Sequence, residues 1–344
     1  MSVQKSVVSK CERGNFTNKQ ITRLALSFVL FTLSVSAHAQ QSAKIPRIGY
    51  LSAYSKGATE DRIDAFRQGL RDLGYVEGKN VRIDYSYMDD KLDRVPDLVA
   101  ELLALPVNVI VAGGGLALVR EIKKSTTTIP IVMTSGSDPV EAGLIASLAR
   151  PGGNVTGLVS FTLDLSGKRL EILKEAIPKF LRAAVLYDVG NPPKIREFKE
   201  TQAAARGLGV EIQPLEVRSP DDFDAAFKSA ALAKAHGLII LQSPLTVSHR
   251  KKIADLALKG RLPSMVAESG LLDRGGLMSY GPDYADLCHR AATYVDKILK
   301  GVQPADLPVE RPVRFEFVVS LKAAKQLGVT IDPQVLARAT RIIR

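Results

Sequence analysis

Cysteine, histidine and tryptophan are scarce in this chain of 344 residues, which has two cysteines, four histidines and no tryptophan. Cys11 lies in an N-terminal segment that we expect to be removed, so Cys288 has no intrachain partner and the fold cannot depend on a disulfide. Cys288 falls on the apolar face of a predicted helix, which favours a small buried side chain over a reactive thiol. His236, His249 and His289 are far apart in the sequence, so we expect surface or packing roles for them and no metal site.

The short motifs of several enzyme classes are also absent. No G-x-G-x-x-G follows the first predicted strand and there is no G-x-x-x-x-G-K-[ST], so neither dinucleotide nor nucleoside triphosphate binding is indicated. G-x-S-x-G, H-E-x-x-H and C-x-x-C are missing as well. We therefore expect no catalytic residues, no cofactor and no enzymatic activity.

The first 39 residues have the pattern of a secretory signal peptide. Lys19 and Arg23 precede an uncharged apolar run, Leu24–Val35, and a small-residue cleavage motif ends at Ala39. The run is shorter than the roughly 20 residues that cross a bilayer. We expect cleavage after Ala39 and a periplasmic protein that begins at Gln40, without a stable membrane anchor.

The formal net charge of +11 is weak evidence for a nucleic-acid partner. Part of it leaves with the signal peptide, and the remaining charges of both signs are interleaved along the chain rather than clustered. Zinc-finger spacing and basic-aromatic interleaving are absent. We expect no nucleic acid among the partners.

The mature chain of about 305 residues exceeds a usual single core, which favours two lobes. Strands alternate with helices up to Val159, and the same rhythm follows, with strand starts about one βαβ period apart. The predicted fold class is α/β, with two doubly wound parallel-sheet lobes joined by a multi-strand hinge. The predicted strands begin with Arg47–Ser52, Val81–Tyr87, Val107–Ala112 and Ile129–Thr134, and continue from Ala183, Val210, Gly237 and Pro263.

Ile129–Val159 connects the two series of units. Its pattern predicts a strand, a helix from Pro139 to about Leu148, a Pro-Gly-Gly break and a strand at Val155–Val159. The predicted divisions are lobe 1 over 45–160, lobe 2 over 161–280, a second part of lobe 1 over 281–310, and a C-terminal segment over 311–344. This last segment holds a crossover strand, Arg314–Ser320, and helices at Leu321–Leu327 and Gln334–Ile343, and the sequence does not assign it to a lobe.

Polar side chains and glycines recur where the predicted strands end. In open parallel sheets, ligands bind beyond the carboxyl ends of the strands. Helix N-termini and hydroxyls suit a carboxylate, Asp and Glu suit an ammonium, and tyrosines stack on rings, so an amino acid or a similar small zwitterion fits the mixture. The candidates from lobe 1 are Ser52, Ala53, Tyr54, Gly113, Gly114, Gly115, Gly136, Ser137 and Asp138, and those from lobe 2 are Tyr187, Asp188, Asn191, Gln242, Ser243, Glu268, Ser279 and Tyr280.

Each candidate also has a purely structural explanation. Glycines permit tight turns, Asp138 can cap a helix, and Asn191 with the following proline is an ordinary turn dipeptide. Tyrosines pack in cores, and Glu268 can be a solvated loop charge. The prediction of a binding site depends on all of these residues falling at strand ends.

Long phrases of the mature chain are similar to those of a known family. They are IPRIGYLSA (Ile45–Ala53), DPVEAGLIASLARPGGNVTG (Asp138–Gly157), LSGKRLEILKE (Leu165–Glu175), GGLMSYGPDYADL (Gly275–Leu287) and AATYVDKILKGVQPADLPVE (Ala291–Glu310). In these phrases the chain resembles the tryptophan/tyrosine-type substrate-binding proteins of ABC uptake systems, which have the type I periplasmic binding protein fold. The resemblance implies a receptor with three crossovers that closes on a small ligand and delivers it to a membrane permease, and we expect a monomer. It also implies that the loops at 52–54, 113–115, 137–138, 187–191 and 243 line the cleft.

Three positions depart from the family pattern. Relatives usually carry an aromatic residue and a glutamate around Pro263–Leu272, where this chain has Val266 and Gly270. Asp188 stands where asparagine is common. The departures leave the ligand unidentified.

Three other functions are alternatives to a transport receptor. A ligand-sensing module of the same fold, docking to a membrane signalling partner, is compatible with the sequence. A DNA-binding regulator needs a DNA-binding segment before Ile45, where the predicted signal peptide lies. An exported hydrolase needs a nucleophile arranged with a base, and the sequence shows no such pair.

Overall fold

A computed structural model describes residues 45–89 and 91–344. The predicted signal peptide and the predicted start at Gln40 lie outside the described residues. Two β-sheets, of five and seven strands, form the framework. No helix in the described part of the chain is long and apolar enough to cross a membrane.

The first sheet is parallel throughout, in the order β2-β1-β3-β4-β5. Because successive strand residues point to opposite faces, Ile48 and Tyr50 pack on one side and Leu51 on the other. Helices cover both faces, and we call this unit lobe 1. Its strands are β1 (Arg47–Ser52), β2 (Arg82–Tyr87), β3 (Val109–Gly113), β4 (Ile131–Met133) and β5 (Val155–Gly157), and its helices are α1 (Glu60–Asp72), α2 (Val95–Leu103) and α3 (Leu116–Ser125).

The second sheet has the order β12-β11-β10-β9-β8-β6-β7, and β11 runs antiparallel to β10. Helices again cover both faces, and we call this unit lobe 2. The fold class predicted from the sequence is confirmed. The strands are β6 (Arg182–Asp188), β7 (Glu211–Val217), β8 (Gly237–Ile240), β9 (Ser264–Val266), β10 (Met278–Pro282), β11 (Phe315–Ser320) and β12 (Arg341–Ile343); the helices are α4 (Ser166–Ala176), α5 (Pro192–Leu208), α6 (Asp222–Leu232), α7 (Pro244–Ser248), α8 (Arg250–Lys259), α10 (Leu321–Leu327) and α11 (Pro333–Ala337).

Helix α9 (Tyr284–Leu299) returns to lobe 1 and packs along α1. The backbones come close at Gly69, where an added Cβ would lie 2.3 Å from the His289 carbonyl oxygen and 2.9 Å from the Cβ of Ala292. Cys288 on this helix is buried, as expected, and burial raises the pKa of its thiol to about 11.

Three segments cross between the lobes, after β5, between β10 and α9, and before β11. Two of them pair through their backbones, because the Val159 amide donates to the Glu310 carbonyl at 3.0 Å and the Glu310 amide donates to Gly157 at 3.0 Å. The Asp283 amide donates to Arg314 at 3.1 Å and ties the third crossing to them. The hinge is therefore built from several hydrogen-bonded strands.

The helix predicted over Pro139–Leu148 is wrong, since the segment forms turns. The carboxylate of Asp138 caps a first turn by accepting two backbone amides at 3.0 Å. Gly143 then adopts φ +68°, the left-handed conformation that ends a helix. Leu144 and Ile145 turn into the lobe 1 core instead of continuing the helix.

The helix predicted over Gln334–Ile343 is also wrong. Only Pro333–Ala337 is helical, and Arg341–Ile343 forms β12, which pairs in parallel with β11. The free edge of β11 offers backbone partners to a β-branched segment that has no strong helix signal of its own. The C-terminal segment therefore completes the sheet of lobe 2.

Candidate functional site

The C-terminal edges of the two sheets face each other, and contacts cross between the loops that follow the strands. The amide of Ser55, after β1, lies 3.4 Å from the Ser248 hydroxyl at the end of α7. Glu141, after β4, pairs with Arg196 of α5 in an exposed ion pair. Both contacts join a strand-end loop of lobe 1 to a helix near a strand end of lobe 2, so the cleft lies where parallel sheets bind ligands.

A buried ion pair crosses the cleft between Arg62 of α1 and Glu268, which follows β9. The Nε atom of Arg62 lies 3.2 Å from Oε1 of Glu268, and Nη2 bonds to Oε2. The guanidinium carbon lies 4.7 Å from the Tyr54 ring centre and 4.6 Å from that of Tyr284, so the cation is held between two aromatic rings. Burial is the largest single influence and lowers the pKa of Arg62, but Glu268 together with Tyr54, Cys288 and Tyr284 outweighs it, so the pKa is raised well above its ordinary value.

Most of the hydrogen-bonding capacity of the Glu268 carboxylate is used within the protein. Besides the two bonds from Arg62, its Oε2 accepts a bond from Nε2 of Gln242 at 2.8 Å. Of the three carboxylates proposed from the sequence, Asp138 is used in capping a turn and Glu268 in joining the lobes.

Asp188 at the end of β6 is the carboxylate that remains available. Its Oδ1 accepts the Gly190 amide at 2.8 Å, and the Ser243 hydroxyl is a further partner. Within the described part of the chain, no cationic side chain forms an ion pair with it. Burial raises the pKa of Asp188, and these hydrogen bonds, with the nearby charges of Lys194 and Arg218, offset only part of that effect.

The glycine-rich loop after β3 supports the structural explanation for part of the predicted set. Gly114 has φ +129°, and an added Cβ would lie 2.3 Å from the Cβ of Ala53. Gly113 lies against the hydroxyl of Tyr50. The loops after β1 and β3 can approach each other only because these residues have no side chain.

The loop after β4 holds the other lobe 1 candidates. The Gly136 carbonyl accepts the amide of Ser160 at 2.7 Å and its hydroxyl at 2.9 Å, so this loop is tied to the first crossing. Ser137 and Asp138 are partly exposed beside it, and the carboxylate of Asp138 caps the following turn.

Tyr187 and Tyr280 belong to the core of lobe 2 in this structure. Tyr187 is 4% exposed, stacks on Phe198 with ring centres 4.3 Å apart, and donates its hydroxyl to Glu216 at 2.8 Å. Tyr280 meets the Phe317 ring edge-on at 6.2 Å.

Serine and asparagine candidates have mostly local roles. The Ser52 hydroxyl accepts the Tyr54 amide at 3.1 Å, and Ser243 forms a capping box with Thr246 at the start of α7. Ser279 is 1% exposed within β10. Asn191 occupies the N-cap position of α5 without a side-chain capping bond, so its amide remains available at the cleft.

A small cavity of about 30 Å³ lies on the lobe 2 side of the cleft. Two of the three departures from the family pattern, Val266 and Gly270, line it. Gly270 leaves room for Arg250, because an added Cβ would lie 2.8 Å from Nη1 of that side chain. The remaining lining residues are Ile240, Gln242, Thr246, Val247, Ala267, Glu268 and Leu271.

Arg62, Tyr284 and Arg250 are cleft residues that sequence reasoning missed. Arg62 had a usable signal, because it lies four residues before Phe66, on the apolar face of α1. A cation on such a face is buried only when it is paired. No local signal marks Tyr284, which contacts Arg62 within lobe 1, or Arg250, which contacts the backbone of lobe 1 from lobe 2.

Comparison with known proteins gives consistent matches over most of the chain. The model of a family described as ABC transporter substrate binding protein matches residues 48–343. A tyrosine-binding protein of Clostridioides difficile (strain R20291) is 25% identical over 287 residues, which is 83% of this chain and 82% of that protein.

Two solved structures have the same fold. A conserved domain protein from Vibrio cholerae is 27% identical, with a TM-score of 0.80 over 87% of this chain and 100% of that chain. An ABC domain from Streptococcus pneumonia in complex with L-Trp is 23% identical, with a TM-score of 0.79 over 87% of this chain and 99% of that chain.

Proposed function

This chain belongs to the family of ABC transporter substrate-binding proteins, and on that premise we propose that it is an extracytoplasmic receptor for an amino acid or a similar small zwitterion. The family predicted from the sequence is thereby confirmed. In this proposal the lobes close on the ligand, and the closed receptor delivers it to a membrane permease. The protein acts as a monomer in the periplasm, after signal-peptide cleavage, by binding without chemistry.

The observation that carries the proposal is the meeting of the two sheet edges. Arg62 with Glu268, Ser55 with Ser248, and Glu141 with Arg196 all join loops or helices that follow strand ends. A ligand held between these edges gains contacts to both lobes only when they are together. It therefore shifts the population toward the closed form.

Asp188 supports an ammonium-bearing ligand. Lys194 and Arg218 act on the half-buried Asp188 carboxylate only through space, and a bound ammonium would give it the direct ion pair that it lacks among the described residues. The relative named for tyrosine and the structure that holds L-Trp support amino acids as the class. The choice among amino acids is left to experiment.

The test is a screen of the mature protein, residues 40–344, against the twenty amino acids by thermal shift, followed by titration calorimetry of those that respond. A ligand at 100 times its Kd should stabilise the folded protein by about 2.7 kcal/mol, which is a readily measured rise in Tm. Failure of every amino acid to shift Tm or to release heat would contradict the proposed ligand class.

A further inference from the structure

The side-chain amide of Gln242, which follows β8, makes a hydrogen bond to Glu268 through one of its two polar atoms. Because Glu268 is a carboxylate, the atom of Gln242 that faces it at 2.8 Å must be the donor, Nε2. The acceptor Oε1 therefore points elsewhere. The ion pair with Arg62 holds Glu268 in place, so the orientation of the Gln242 amide is set by a residue that is itself anchored.

The Oε1 atom of Gln242 is buried and has no hydrogen-bond partner among the described residues. A buried acceptor without a donor costs free energy, which is recovered when a donor arrives. Gln242 also lines the cavity of about 30 Å³, so a group that enters the cavity meets this side chain. Ile240, Val266 and Leu271 supply apolar walls for the same group.

Arg250 sets the charge that the cavity accepts. Its guanidinium lies against Gly270 and makes only long contacts to the carbonyls of Ala58 and Gly57, at 3.4 and 3.5 Å. It forms no ion pair with a carboxylate within the part of the chain that the structure describes. A cationic ligand group would be repelled here, which leaves neutral donors for Gln242.

We infer that Gln242 is a specificity-determining residue that selects ligands carrying a neutral hydrogen-bond donor, such as a hydroxyl, in addition to the ammonium. This inference rests on the proposed function and narrows its ligand class. Amino acids with a hydroxyl side chain bind more tightly than their counterparts without one. A site built around a buried acceptor discriminates strongly, because the counterpart leaves that acceptor unpaired.

The test measures Kd by titration calorimetry for three matched pairs, L-tyrosine with L-phenylalanine, L-threonine with L-valine, and L-serine with L-alanine. We expect the hydroxyl-bearing member to bind at least tenfold more tightly in at least one pair. Equal affinities within threefold in every pair, or no binding by any of the six, would overturn the inference. If the six give either of these results but another amino acid binds, the inference about Gln242 fails and the proposed function stands. If none of the twenty amino acids binds, both fail.

The matched variants are Gln242→Met and Gln213→Met. Gln213 lies on β7, away from the cleft, and bonds to the Ser229 hydroxyl at 3.2 Å. Gln242→Met should reduce the affinity ratio to within threefold, and Gln213→Met should preserve it. A Gln242→Met protein that folds and keeps the wild-type ratio would overturn the inference, and the wild-type ratios decide the matter if that variant does not fold.

Discussion

Asp188 carries the charge on which the proposed ligand class depends. Its carboxylate is half-buried, and burial raises its pKa above the ordinary value of 3.8. The folded state therefore binds this proton more tightly than the unfolded chain does. The stability cost is absent below the ordinary pKa and appears as pH rises through the raised pKa.

Asp188→Asn should consequently raise Tm at pH 7, with a gain that vanishes as pH falls toward 3.8. The same change should weaken amino-acid binding at least tenfold, or about 1.4 kcal/mol, because the ammonium loses its counter-charge. Thermal melts at both pH values and calorimetry at pH 7 measure the two effects. Asp64→Asn, at a carboxylate that is 71% exposed, is the control that should change neither. An Asp188→Asn protein that binds as tightly as wild type would refute the assignment of the ammonium to this residue.

Strand-end positions can be predicted from the sequence, but their pairing cannot. Asp188, Gln242 and Glu268 follow predicted parallel strands, whose ends share one edge, so their proximity is a matter of topology. The bond from Arg62 to Glu268 joins residues 206 apart in the sequence, and nothing local in either segment identifies the other. This is why the sequence offers Glu268 as a partner for an ammonium, whereas in the structure its carboxylate pairs with the guanidinium of Arg62.

Two helical glycines differ in the space around them: Gly69 lies at the contact between α1 and α9, whereas Gly207 lies on α5 with open space beside it. Gly69→Ala places a methyl group 2.3 Å from the backbone oxygen of His289, so the helices must separate, at a cost of about 1–3 kcal/mol. Gly207→Ala, near the exposed end of α5, meets no atom within 4 Å and should stabilise by about 0.5–1 kcal/mol. Urea unfolding of both variants measures the difference, and a Gly69→Ala protein as stable as wild type would contradict the close packing.

The elements that the sequence predicts correctly are those with a strong local period, and one of the two failed helices has a local cause. The predicted helix over Pro139–Leu148 has an apolar period, but Gly143 interrupts it after one capped turn. The predicted helix over Gln334–Ile343 fails for a different reason. Its final residues, Arg341–Ile343, pair with β11, so the cause lies outside the segment.

At the scale of the whole molecule, the ion pair between Arg62 and Glu268 should control the opening of the lobes. Glu268→Ala leaves the Arg62 cation buried without its carboxylate, at a cost of about 3–5 kcal/mol while the lobes stay closed. Opening would return the cation to water. We therefore expect an increased radius of gyration in solution scattering without ligand, together with weaker ligand binding.

Glu141→Ala is the matched control, since it removes the other interlobe ion pair, with Arg196. Both of those side chains are 51% exposed, and an exposed pair contributes at most about 1 kcal/mol. Its scattering curve should match that of wild type. A Glu268→Ala curve that also matches wild type would show that the buried pair does not hold the lobes together.

The count of strand-helix units predicts two lobes, but it does not predict how the C-terminal segment is used. β11 joins lobe 2 because β10 has an open edge, with Met278 opposite Val319 in the antiparallel register. A sequence pattern identifies β11 as a strand without specifying which edge it will meet. The lobe that β11 joins thus depends on which strand edge is open in the folded molecule.

The return of α9 to lobe 1 has a consequence for how the protein is made. The ribosome produces α1 more than 200 residues before α9. The apolar residues Ile63, Phe66 and Leu70 of α1 therefore have no contact with α9 until all of β6 to β10 has been synthesised. The strands β6 to β10 of lobe 2 are instead synthesised one after another, with no segment of lobe 1 between them. The nascent chain can therefore complete the middle of its sequence first, and the half that begins earliest acquires its full core late.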